Sequence, residues 1–281
     1  MSNPNREFDK THLSIDTAEE RVLIHRDYIA HCLRWSHVCK FLMQKRRYAT
    51  ARILDVGCGR EVPLGKLLYS NRMSGAKYMG VDMNEIFMPE MLQKAMTNGK
   101  MEVRLRGHCD ASELKLEDMP WQPNVITCFE VFEHVHPRIA RRLLKNLFAL
   151  METGGTMFFS TPVWNGSAAD NHINETTYDA MGGLLEDIGW DITHHWGTFA
   201  SQSEYVPHLS QAERDIFNQL SEYYDSNVLA TILAPLHPRH SRNVLWCCVK
   251  LDNPNDRIFD PLETIAHYPW SQHKDWEELE G

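Results

Sequence analysis

The sequence predicts an α/β protein built on a seven-stranded, mostly parallel sheet with helices on both faces, an N-terminal helical cap and a helical insertion before the last strand. Three observations carry this expectation. A short apolar strand, Ile53 to Val56, runs directly into the turn Gly57-Cys58-Gly59. A second apolar strand, Tyr78 to Val81, ends in Asp82, 23 residues after Gly59. Between residues 51 and 161, apolar strand-like runs alternate with segments of helical periodicity, the pattern of parallel strands joined by crossover helices.

The elements follow in chain order. Residues 17–47 are helix-prone, with Thr17 ahead of Glu19 and Glu20 at a helix start. Val22, Leu23, Tyr28, Ile29, Cys32, Leu33, Trp35, Val38, Phe41 and Leu42 recur there at helical spacing, so residues 1–49 form a cap that packs on the sheet edge or covers the site. The sheet domain spans residues 50–252. Its fourth strand and the exit from it fall within Val125 to Val135, and its fifth strand is Thr156 to Pro162. Thr176 and Thr177 open a helix that stops at Gly189; strand six is Trp190 to Phe199 and strand seven Asn243 to Leu251. Residues 205–236 are rich in helix formers and interrupt the last two strands. The tail, 253–281, carries Pro254, Pro261 and Pro269 and reads as an irregular strap.

Composition narrows the function classes. With 281 residues, 43% hydrophobic and 24% charged, the chain can bury a large core, and no apolar run is long enough to span a membrane. The amino terminus is polar and lacks a signal-peptide core. Seven cysteines, five of them in or beside expected strands, argue for reduced thiols and a cytoplasmic protein. Cys58, between two glycines, is not read as a nucleophile. A net charge of −9 disfavours broad capture of nucleic acid, so no duplex DNA partner is expected. Lys45-Arg46-Arg47 and the segment His237 to Arg242 are read as solvated faces.

The glycine turn has its own chemistry. It reads D-x-G-x-G, with Asp55 just before the turn, where dinucleotide sites read G-x-G-x-x-G. A carboxylate there repels phosphate and suits a cationic amino-acid group. On Leu54 to Gly59, Asp82, Asp110-Ala111, the run Val125 to Val135 and strand five, the chain resembles the class I, Rossmann-like S-adenosylmethionine-dependent methyltransferases over roughly residues 50–200. That resemblance implies a cofactor site. Asp82 would accept the ribose hydroxyls, and the backbone at Gly57 and Gly59 would lie against the methionine moiety. Asp55 would sit near the ammonium group through water, Asp110 would take the adenine amino group, and the Ala111 N–H would face the ring.

On the acceptor side, Glu130, Glu133 and His134 stand at i, i+3 and i+4, a spacing that puts them on one face of a helical turn. His172 lies in the loop Asn171 to Thr177, which leaves the same sheet edge. Glu-x-x-Glu-His with a later His is similar to the metal site of small-RNA 2′-O-methyltransferases and to ubiquinone-pathway O-methyltransferases. The resemblance therefore offers two chemistries. In the preferred one His134 and His172, with Glu130, act without metal as base or orienter. In the other Glu130, Glu133, His134 and His172 hold a divalent ion that polarises a hydroxyl. Trp164 and Tyr205 are expected pocket aromatics or core residues, and His194 and His195 alternate across strand six. No Asn/Asp-Pro-Pro-Tyr/Phe follows strand four, so the signature of the exocyclic-amine DNA and glutamine methyltransferases is missing, and no Pro-Cys stands there, which removes the cytosine-C5 mechanism.

The resulting expectation is in-line methyl transfer from S-adenosylmethionine to an oxygen of a small or medium polar molecule. The rival expectations are a metal-dependent RNA or nucleotide 2′-O-methyltransferase and a cofactor-binding interaction module without turnover.

Overall fold

The structure is a computed structural model that describes residues 26–166, 168–169 and 171–259. The expected helix start at Thr17 and most of the C-terminal strap, including Pro261 and Pro269, lie outside the described residues. All seven expected strands form one sheet in the order β3-β2-β1-β4-β5-β7-β6. They are β1 (Arg52–Val56), β2 (Lys77–Val81), β3 (Glu102–Arg106), β4 (Val125–Phe129), β5 (Thr156–Pro162), β6 (Trp190–Phe199) and β7 (Asn243–Lys250). The pairs β1·β2, β2·β3, β1·β4 and β4·β5 are parallel. Strand order reverses between β1 and β4, and in such sheets the crevice beyond the carboxyl ends at that reversal takes the ligand.

The described residues separate into two compact units, one of 38–194 with 246–259, the other of 26–37 with 195–245. In the first, β4 and β5 are buried at every position, as strands covered on both faces require. Its helices are the end of α1 (Arg26–Met43), then α2 (Pro63–Ser70), α3 (Glu90–Thr97), α4 (Pro137–Leu150) and α5 (Tyr178–Ile188). α4 starts on a proline, which lacks the N–H that a helix start leaves unpaired anyway, and buries Ala140, Leu143, Leu144, Leu147 and Leu150 along one stripe. The Thr177 hydroxyl accepts the Ala180 N–H at 3.3 Å and caps α5, which ends at Gly189 as its sequence requires.

The second unit holds the helical insertion: α6 (Gln202–Tyr205), α7 (Gln211–Ser221) and α8 (Ser226–Leu233). Ser210 and Glu213 form a capping box on α7, and Asp225 accepts the N–H groups of Asn227 and Val228 at 2.9 Å each to start α8. These helices close on Ala200, Tyr205, Leu209, Phe217, Leu229, Ala230 and Ala234. Tyr205 is fully buried, and its hydroxyl donates to the Leu233 carbonyl at 2.5 Å. Of its two expected placements, it takes the core one.

Candidate active site

Five loops at the carboxyl ends of β1, β2, β3, β4 and β5 build the site. The turn after β1 needs glycine at Gly57 for two reasons: φ is +69°, and a Cβ there would stand 2.3 Å from Val131 Cγ2. Gly59, at φ +70°, faces open space. The N–H groups of Gly57 and Cys58 both donate to the Val81 carbonyl, at 2.9 and 3.2 Å. Asp82 then closes the turn: its Oδ2 accepts the Gly59 N–H at 2.9 Å, and its Oδ1 accepts from the Asn84 N–H at 2.8 Å and the Asn84 amide at 3.1 Å. The glycine turn and the strand-end acid are one hydrogen-bonded unit. Cys58 is buried beside them, and burial with the Asp55 and Asp82 charges pushes its thiol far above the usual range, away from thiolate chemistry.

Asp55 is 5% exposed, and both its oxygens are engaged. Tyr78 Oη donates to Oδ2 at 2.5 Å and Thr127 Oγ1 donates to Oδ1 at 2.7 Å. Burial raises its pKa from 3.8 to about 6, against the lowering effect of the two hydroxyls. The folded state therefore holds this proton more tightly than the unfolded chain does. The stabilisation is complete below pH 3.8 and is lost as pH rises through about 6, roughly 3 kcal/mol in all. Asp55→Asn does not titrate. Denaturant unfolding from pH 4 to 8 should show its stability gaining on the wild type up to about pH 6 and then running parallel. A pH-independent difference would refute the placement of this carboxyl.

Asp110 lies four residues past the end of β3. Its Oδ1 accepts the Ser112 N–H at 2.8 Å, and the Cys109 N–H donates to the Asp82 carbonyl at 2.9 Å, so this loop is tied to the second strand's acid. Two α4 side chains that sequence reasoning passed over hold the loop. Arg142 donates to Ser112 Oγ at 2.9 and 3.1 Å and approaches Asp110 Oδ2 at 3.7 Å. Asn146 donates to the carbonyls of Ala111 and Leu114, each at 2.8 Å. Their spacing on a helix face reads as ordinary surface polarity, and only the fold brings them under the loop.

The exit of β4 departs from the expected helical turn. Glu130 has a left-handed backbone, φ +55°, and the turn that follows is a 3-10 turn over Phe132–His134. Glu130 thus stands outside it. Its N–H donates to the Ser160 carbonyl at 3.0 Å, and its Oε1 accepts the Ser160 hydroxyl at 2.8 Å. Glu133, His134 and His172 do converge: one ligand atom from each lies within 4.8 Å of the others, a group that does not include Glu130. Glu133 is 1% exposed and accepts the Thr161 hydroxyl at 3.1 Å. Its carbonyl takes the N–H groups of Ile173 and Asn174, at 2.8 and 3.2 Å, which docks the His172 loop on the 3-10 turn. The two imidazoles meet edge to face with centroids 4.8 Å apart.

The hydrogen bonds assign the tautomers, because a carbonyl or carboxylate can only accept. His134 Nδ1 donates to the Asn171 carbonyl at 3.1 Å, and His172 Nδ1 donates to Glu175 Oε1 at 2.5 Å. His134 Nε2 then faces Glu133 Oε1 at 3.8 Å. A lone pair facing a carboxylate is repulsive unless positive charge, a proton or a metal ion, stands between them. Two imidazoles with anchored Nδ1 atoms and one anchored carboxylate also suit a divalent ion with borderline ligand preference.

The family described as "Methyltransferase domain" matches residues 28–195, more than half the chain. The ubiquinone biosynthesis O-methyltransferase of Coxiella burnetii is 32% identical over 122 residues, 43% of this chain and 48% of that protein, so the chain spans about half the length of that relative. The protein of the same name from Xanthomonas campestris pv. campestris is 28% identical over 204 residues, covering 71% of this chain and 76% of that one. Among solved structures, magnesium protoporphyrin IX methyltransferase from Synechocystis PCC 6803 with bound SAH superposes with a TM-score of 0.52 at 14% identity, over 87% of this chain and 94% of that one, a likeness of fold. With its strand order, its glycine turn tied to a strand-end acid and a family match across more than half its length, the chain belongs to the methyltransferase-domain family.

Proposed function

We propose that this protein is an S-adenosylmethionine-dependent methyltransferase acting on an oxygen of a small or medium polar molecule. The observation that carries this reading is two half-sites on loops beside the strand-order reversal, the Gly57–Gly59–Asp82 unit and the Glu133–His134–His172 cluster, with Gly57 packed against Val131 of the β4 exit. Oxygen as the acceptor atom is supported by the likeness to the Coxiella and Xanthomonas O-methyltransferases. S-adenosylmethionine supplies a methyl group already activated on a sulfonium. Asp82 accepts the ribose hydroxyls, Gly59 leaves room for the backbone to approach the ligand, and the Asp110–Ala111 loop receives the adenine. Asp55 acts from beneath, by holding the turn. His134 or His172 receives the proton of the acceptor hydroxyl at Nε2. Glu130 serves by fixing the β4 exit to Ser160.

A second reading rests on the same cluster. A divalent cation held by Glu133, His134 and His172 would supply Lewis-acid polarisation of that hydroxyl. Compartment and partner readings have independent support. All seven cysteines are unbridged, which suits a reducing cytoplasm, and the charge of −9 opposes duplex DNA as acceptor. Among the described residues, no helix is long and apolar enough to cross a membrane. The direct test offers methyl-labelled S-adenosylmethionine with phenolic and sugar hydroxyl compounds in one arm, and with RNA or duplex DNA in others. Label is expected in the hydroxyl compounds; label confined to nucleic acid, or in nothing, overturns the reading.

A further inference from the structure

Burying a carboxylate is costly unless a partner compensates it. Glu175 has no side-chain exposure, and its Oε1 receives the His172 Nδ1–H at 2.5 Å, three residues back in the same segment. That segment is rigidly placed. Ile173 and Asn174 N–H groups bind the Glu133 carbonyl, the Asn174 amide donates to the Phe132 carbonyl at 3.1 Å, and the Trp164 N–H donates to the Thr176 carbonyl at 2.8 Å. Asn174, Glu175 and Thr176 are all at most 2% exposed. The same stretch supplies the Asn171 carbonyl that takes His134 Nδ1–H. One loop therefore sets the proton position on both rings.

We propose that Glu175 is a positioning residue that locks His172 in the Nδ1-protonated tautomer, so that its Nε2 lone pair, like that of His134, serves the acceptor side of the site. This rests on the acceptor-side reading above and adds to it the group that makes the ring usable. An imidazole protonated at Nε2 would present a donor N–H where a base or a metal ligand needs a lone pair. Either chemistry therefore depends on this carboxylate, as histidine ligands and bases depend on the partner of their other nitrogen.

The test is long-range ¹H–¹⁵N NMR on the full chain with ¹⁵N-labelled histidine at pH 8, the His172 signals being assigned by their loss in His172→Ala. We expect a protonated Nδ1 and an unprotonated Nε2 in the wild type. Glu175→Gln, whose amide oxygen still accepts, should keep that pattern, whereas Glu175→Leu should move the proton to Nε2. In the Leu variant methyl transfer should fall by about 10- to 100-fold, with S-adenosylmethionine affinity within about twofold. A wild type carrying the proton on Nε2, or on both nitrogens, overturns the proposal, and it does so even where the Leu variant fails to fold. Identical tautomers in the wild type and a folded Leu variant also overturn it. A wild type that binds no S-adenosylmethionine and transfers no methyl group refutes the functional reading instead, and the tautomer result stands on its own.

Discussion

Asp82→Ala should weaken S-adenosylmethionine binding by about 100-fold while leaving the circular dichroism spectrum unchanged. The variant loses two charge-assisted hydrogen bonds to the ribose, each worth about 1.5–3 kcal/mol, and each 1.4 kcal/mol is a factor of about ten in affinity. It also strips the Gly59 N–H of its acceptor, so the turn that meets the ligand loses its tie to β2. Asp82 sits at a partly exposed strand end and carries none of the core, so the fold has no reason to fail. Asp82→Asn keeps one oxygen acceptor and should fall between the two. Calorimetry decides: an affinity within threefold of wild type would remove the cofactor from this loop.

The double variant His134→Ala, His172→Ala should lower methyl transfer by about 10²- to 10⁴-fold, the usual worth of a positioned acid or base. Cofactor affinity should barely change, because these rings belong to the β4 and β5 loops and not to the glycine turn. A chelator separates the two chemistries. If the cluster works through a divalent ion, chelation should abolish turnover and Mg²⁺ or Mn²⁺ should restore it; a wild type indifferent to chelator but dependent on the histidines uses an imidazole base. Full activity in the double variant would defeat both and leave alignment of the reactants as the catalytic device.

Much of the fold was legible because its signals are local. β5 and β6 have the bounds their apolar runs predict, and β7 ends one residue short of Leu251. Glycine and aspartate at fixed offsets located the turn and the acid. The helical i, i+3, i+4 reading failed at Glu130, since it assumes a right-handed turn from the first residue and Glu130 is left-handed. What spacing could not show are partners that the sheet register creates. Thr127 pairs directly opposite Asp55 from β4, 72 residues along the chain, and Tyr78 reaches the same carboxyl from β2. Glu175, three residues after His172 but in a loop, has no periodicity to mark it. Arg142 and Asn146 were invisible for a different reason, their partners being about 30 residues distant.

The Asp55 carboxyl joins three adjacent strands, taking a hydroxyl from β2 on one side and from β4 on the other, directly beneath the glycine turn. Such a staple keeps the carboxyl ends of β1, β2 and β4 from splaying when the crevice holds no ligand. The empty and filled forms of this half of the site should then differ little in backbone order, and an incoming ligand is spared most of the entropy cost of arranging its own walls. Preorganisation of this kind favours affinity over adaptability. The burden of accommodating different acceptors falls on segments outside this staple.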